Sequence, residues 1–152
     1  MDLQFVWTDG SNEAFERFYR VTEAYYSAVV GGEENRKAFI PYNLSSLVET
    51  VLIVYCGDTP VACSGLKKYS EHTAEVKRVW VEPAFRGRHI AAGMMRALER
   101  KAKEAGYQRL ILQTREIMRD AVGLYTGLGY ARIANYQPYD QLEGAVCFAK
   151  EL

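Results

Sequence analysis

What this sequence lacks narrows its function first. It has three cysteines (Cys56, Cys63 and Cys147), an odd count with no C-x-x-C spacing. That pattern excludes a disulfide scaffold or a zinc ribbon and points to reduced thiols in a cytoplasmic protein. Its two histidines, His72 and His89, stand apart, so no metal is implied. Charge of one sign is missing too: nineteen basic and nineteen acidic residues cancel, which argues against nucleic acid or an anionic membrane as partner. The basic clusters Lys67-Lys68, Lys77-Arg78 and Arg86–Arg88 read as solvated faces, without the aromatic interleaving of single-strand binders. The longest aliphatic run, Val51–Val54, is far too short to span a bilayer, and the N-terminus has neither the basic nor the apolar region of a signal peptide. There is no repeat, low-complexity tract or interdomain linker. At 152 residues the chain reads as one domain.

What is present is an alternation of strand and helix patterns. Leu3–Trp7 reads as a strand, and Ser11 or Asn12 caps a helix with Phe15, Phe18, Tyr19, Thr22 and Tyr26 on one stripe, ending near Gly31-Gly32. Glu33–Ser46 has no period and reads as a loop. Glu49–Cys56 and Val61–Tyr69 are β-rich and separated by Gly57-Asp58-Thr59-Pro60, a hairpin signal; with Thr73–Glu82 they form an antiparallel meander. In the third of these strands Ala74 and Val76 fall on even positions, Val79 and Val81 on odd ones. Such a one-residue slip is what a β-bulge produces. Ile90 to Ala105 carries apolar residues at three- and four-residue steps and stops at Gly106. A strand (Arg109–Thr114), a helix around Ala121–Leu128 closed by Gly129, and strands at Ala131–Ala134 and Ala145–Lys150 complete a mixed α/β order.

The stretch before the second long helix carries the first functional signal. A loop ending at a helix start presents several unpaired N–H groups at the positive end of the helix dipole, which suits phosphate. The site predicted is Arg86, Gly87, Arg88, His89, Ile90, Ala91 and Ala92, with Arg86 and Arg88 adding charge.

That run resembles the acyl-CoA pyrophosphate loop of the GNAT superfamily of N-acetyltransferases, written Q/R-x-x-G-x-G/A. Arg86 matches its first position and Ala91 its last, while His89 replaces the middle glycine. The departure implies either an ordinary helical backbone at His89 or weaker binding. Ala74–Pro83 (AEVKRVWVEP) resembles the family's fourth strand and Leu124–Tyr130 (LYTGLGY) its L-Y-x-x-x-G-F/Y helix end. The resemblance covers the chain from about Val54 onward. It implies a mixed, mostly antiparallel central sheet flanked by helices, with a bulged and splayed fourth strand. The backbone groups of Val79 and Val81 would then pair with the pantetheine arm of acetyl-CoA, the implied cosubstrate, and a strand N–H would polarise the acetyl carbonyl.

The implied reaction is direct transfer of an acetyl group to a primary amine, on a small molecule or a peptide. A CoA-binding sensor and a transferase using a longer acyl-CoA are the alternatives. Tyr125 resembles the tyrosine beside the thioester sulfur, a phenol able to donate to the departing thiolate; its periodicity alone makes it a core residue. Glu75 resembles the carboxylate that serves as general base directly or through water, and reads equally as an outward strand residue paired with Lys77. Cys147, with no histidine near it, reads as a buried structural thiol. The loop Tyr136–Tyr139 (YQPY) reads as an aromatic wall of the acceptor pocket or as a plain connector. Tyrosines in Tyr19–Tyr26 and Tyr136–Tyr139 suggest an aromatic-lined pocket for a cationic or flat amine. An exposed edge at the last strands favours a homodimer.

Overall fold

A computed structural model describes residues 2–29 and 48–152. The loop expected over Glu33–Ser46 and the helix end at Gly31-Gly32 lie outside the described residues. The order is β1 (Leu3–Thr8), α1 (Glu13–Val29), β2 (Thr50–Cys56), β3 (Thr59–Lys68), β4 (Thr73–Val81), a 3₁₀ turn at Pro83–Phe85, α2 (Ile90–Glu104), β5 (Arg109–Arg115), α3 (Arg119–Gly127), β6 (Ala131–Ile133) and β7 (Ala145–Glu151). The strands form one sheet in the order β1-β2-β3-β4-β5-β7-β6, antiparallel except for the β4–β5 pair.

Local chemistry sets the limits of these elements. Asn12 caps α1, its side-chain oxygen accepting from the Phe15 N–H at 3.1 Å. α2 ends in a Schellman motif: Gly106 takes φ 94°, its N–H bonds the Lys103 carbonyl, and the Tyr107 N–H bonds that of Ala102. The hairpin between β2 and β3 turns on Gly57, at φ 61°, with Cys56 facing Thr59. β3 therefore starts two residues before the Val61 read from sequence, because a two-residue turn suffices.

The helices cover both faces. α2 and α3 lie on one, where Met95, Leu98 and Ala102 pack with Ala74, Val76, Leu110, Leu112, Tyr125 and Phe148. Full burial of side chains such as Met95 and Leu98 is worth roughly 1.5–3 kcal/mol each. α1 covers the other face, placing Phe15 and Phe18 on Val51, Ile53, Cys63 and Trp80. No helix among the described residues is long and apolar enough to cross a membrane.

Two features of β4 prepare the site. Against β3, Cys63 faces Trp80 and Gly65 faces Lys77, so Arg78 and Val79 together oppose Ser64. This is the bulge predicted from the slip between Val76 and Val79, and Arg78 sits in it at φ 57°. Against β5, β4 pairs only from Thr73 to Glu75. Beyond Glu75 the strands fork, leaving that edge of β4 without a strand partner.

Candidate functional site

The fork opens into two adjoining cavities. The larger, about 600 Å³, has the outer half of β4 and the start of α2 on one side and α3 on the other. Every residue of the expected cofactor site lines it except Arg88, and Tyr125 lines it as well. The smaller, about 150 Å³, lies in the fork itself between Val76, Arg78 and Val79 of β4 and Leu112, Gln113 and Thr114 of β5. Tyr26, Val79, Met118, Ala121 and Tyr125 line both.

At the loop, the chain leaves β4 through the 3₁₀ turn and reverses at Gly87, φ 78°. His89 follows in the left-handed region at φ 61°, ψ 21°, with no side-chain cap bond. The position thus does demand a positive φ, and histidine meets the demand at a cost of roughly 1–2 kcal/mol. The first intrahelical bond of α2 runs from the Gly93 N–H to the His89 carbonyl at 3.0 Å. The N–H groups of Ile90, Ala91 and Ala92 precede it and have no helical partner. Arg86 donates from Nε to the Val81 carbonyl at 2.9 Å and lays its guanidinium over Trp80, 4.8 Å from the ring centre. Arg88 turns to the Phe85 ring at 5.3 Å.

Tyr125 both packs in the core and lines the two cavities. Its ring packs on Tyr130 and Phe148, 6.0 and 6.2 Å between centres, and it is 7% exposed. Its hydroxyl has no hydrogen-bond partner among the described residues. Burial, and then the neighbouring Tyr26, push its phenol well above the ordinary value, so it stays protonated throughout the neutral range.

Glu75 lies at the last paired position of β4 with β5, one residue before the fork opens, and lines neither cavity. It is 5% exposed, so an outward-facing residue is excluded, although the pairing with Lys77 exists, Nζ to Oε1 at 3.6 Å. Tyr136 donates its hydroxyl to Glu75 Oε2 at 2.8 Å. The Tyr136–Tyr139 segment thus covers Glu75 rather than walling either cavity. Cys147 is fully buried, as its VCF setting suggested. Among the described residues no group of histidine, cysteine and carboxylate side chains could hold a metal ion.

The dipeptide Lys77-Arg78 corrects the sequence reading. Neither side chain is solvated: Lys77 is 4% and Arg78 6% exposed. Arg78 bonds Glu23 Oε1 at 2.8 Å, the Tyr19 carbonyl at 3.2 Å and the Thr22 hydroxyl, all on α1, and stacks over Tyr19. Two adjacent strand residues face opposite sides of a regular sheet; the bulge instead turns Arg78 under α1. Arg78, Gln113, Thr114 and Met118 were missed as cavity residues. The phase slip was the signal for Arg78, and nothing in sequence marked the others.

The acetyltransferase (GNAT) family model matches residues 13–130. An IAA acetyltransferase of Azospirillum brasilense is 30% identical over 89 residues, covering 58% of this chain and 58% of that protein. The chain thus spans little more than half the length of this curated relative. Among solved structures, a Klebsiella pneumoniae protein provisionally assigned as an acyl-CoA N-acyltransferase superposes with a TM-score of 0.81 at 22% identity, over 99% of this chain and 97% of that one. The Thermoplasma acidophilum PaiA N-acetyltransferase, solved in complex with coenzyme A, superposes with a TM-score of 0.76 at 15% identity over the whole of both chains.

Proposed function

Because the chain belongs to the acetyltransferase (GNAT) family, we propose that it is one acyltransferase domain that moves an acetyl group from acetyl-CoA directly to a primary amine. One observation carries the reading: the free N–H groups of α2, the unpartnered edge of β4 and Tyr125 converge on a single cavity.

The Ile90, Ala91 and Ala92 N–H groups would hold the pyrophosphate, with Arg86 and Arg88 at the rim adding charge. The open β4 edge at Val79 and Val81 would pair with the pantetheine amides, and a strand N–H there would polarise the acetyl carbonyl. When bound, acetyl-CoA supplies an acetyl group activated as a thioester. The acceptor nitrogen forms the new C–N bond as the C–S bond breaks. Tyr125, protonated at every physiological pH, donates to the departing sulfur. The acceptor's proton leaves toward Glu75, which stands back from the cavity wall, so a water relays it.

The test is thiol release from acetyl-CoA with a panel of amines: L-amino acids, polyamines, arylalkylamines, aminoglycosides and peptides with free N-termini. Release with one class, cut at least tenfold in Tyr125→Phe, is the expected result. CoA binding without release from any amine would favour a sensor or a longer acyl donor. Failure to bind CoA would remove the phosphate-loop argument altogether.

A further inference from the structure

A second polar cluster lies on the α1 side of the sheet, just below the fork, and the reaction as described uses only its carboxylate, Glu75. Glu75 and Lys77, two apart on β4, share a face. The carboxylate is almost wholly out of water, a costly state for a charge unless partners compensate. The Lys77 ammonium supplies the opposite charge at 3.6 Å, and the Tyr136 hydroxyl donates at 2.8 Å. Lys77 is fixed in turn, donating to the Tyr139 hydroxyl at 2.6 Å; Tyr139 is 1% exposed. Tyr69, just past the end of β3, clamps the loop by donating to the Gln137 carbonyl at 2.9 Å and packing edge-on against Tyr136.

Among the described residues the other ionisable groups around the carboxylate are few. Lys67 is its cross-strand neighbour on β3, and Tyr69, just past β3, and Cys147 on β7 feel its charge. Its parallel neighbour on β5, Ile111, is apolar. Burial lowers the Lys77 ammonium from its ordinary value, and the Glu75 charge works against that shift. The arrangement is costly to bury and fully connected, which suits a site needing one carboxylate in one place.

We propose that Lys77 and Tyr136 are positioning residues for Glu75, the ammonium supplying the opposite charge beside the buried carboxylate and the phenol fixing its direction, with Tyr139 holding Lys77. This rests on the reading of Glu75 as the base. Neither residue touches the acceptor; both act through the carboxylate.

The test uses the full chain, acetyl-CoA and the panel amine with the fastest thiol release. Glu75→Gln, Lys77→Met and Tyr136→Phe are compared by the pH profile of kcat/KM. In parallel the Glu75 carboxylate is titrated by infrared difference spectroscopy, its band identified by its loss in Glu75→Gln. Glu75→Gln is expected to lower kcat at least tenfold. Lys77→Met is expected to move both the acidic limb of the profile and the infrared midpoint upward by at least one pH unit. Tyr136→Phe, which removes one oxygen and keeps the test decisive if Lys77→Met does not fold, is expected to move both the same way by about half a unit. CoA affinity is unchanged throughout. Infrared midpoints that stay at the wild-type value in both variants overturn the network. Wild-type kcat in Glu75→Gln, or a panel with no turnover, overturns the base assignment and the network's catalytic role with it; the infrared midpoints tell the two failures apart.

Discussion

Arg78 Nη1 donates to Glu23 Oε1 at 2.8 Å, tying the bulge of β4 to α1 across 55 residues of sequence. The guanidinium is 6% and the carboxylate 19% exposed, so Arg78 is almost wholly out of water and Glu23 is only partly so. The Arg78 carbonyl is satisfied from the other side by the buried Cys63 thiol, 3.4 Å away. The bulge that opens the fork is thus held by side chains on both of its flanks.

Removing the Glu23 carboxylate leaves the buried Arg78 charge without this counter-ion. Glu23→Gln is expected to cost about 3 kcal/mol in urea denaturation. A double-mutant cycle with Arg78→Met should return most of that as coupling. A Glu23→Gln variant within about 0.5 kcal/mol of wild type would count against the pair as the anchor of the bulge.

His89 carries left-handed strain that glycine would not. His89→Gly is expected to raise stability by up to about 1 kcal/mol, the gain being trimmed by glycine's extra freedom in the unfolded chain. His89→Val, β-branched at a positive φ, should fall below wild type by more than 1 kcal/mol, about the scale of that strain. CoA titration calorimetry on the same variants would rank affinity, with glycine at least equal to histidine and valine weakest.

Gly65 faces the inner residue of the bulged segment, Lys77, where the strands leave no room for a side chain. A Cβ there would collide with Val48 Cγ1 and come within 3.2 Å of the Thr50 carbonyl. Gly65→Ala is expected to cost about 1–3 kcal/mol. A melting temperature equal to that of wild type would show that Val48 yields freely.

High pH should destabilise the fold through its tyrosines. Burial raises the Tyr125, Tyr130 and Tyr136 phenols, reinforced by Tyr26, Glu99 and Glu75 respectively. In the unfolded chain phenols ionise near 10. Above that pH the unfolded state holds fewer protons than the native one, so stability present below pH 10 is lost as pH rises. Each group contributes a slope of about 1.4 kcal/mol per pH unit. Thermal melts between pH 8 and 11 should steepen downward past 10, less so in Tyr125→Phe.

The three thiols should separate by access. Cys63 and Cys147 are buried, and burial pushes the Cys63 thiol up to about 12. Only the half-buried Cys56 is expected to react within minutes with an aromatic disulfide reagent in native buffer, the other two following on denaturation. Fast labelling of Cys63 would mean that the bulge opens in solution.

The element order, the bulge and the loop that enters α2 were legible because each rests on local chemistry. Three- and four-residue apolar spacing marks α2, glycine after its last turn marks its end, and a slip from even to odd positions marks the bulge. Sequence also located Tyr125 and the loop that meets it at one cavity. It could not say that His89 takes a positive φ, since that depends on how the 3₁₀ turn delivers the chain to α2.

Long-range partnership was the part that only the tertiary structure decided. Lys77-Arg78 reads as surface charge until α1 is laid across β4 and supplies Glu23, and until Tyr139 reaches back 62 residues to Lys77. Glu75 likewise reads as an exposed strand carboxylate until the Tyr136–Tyr139 segment closes over it. The physical reason is common to all three. Periodicity reports which face of an element is apolar, but whether a charge on the remaining face meets water or a partner depends on which distant segment packs there.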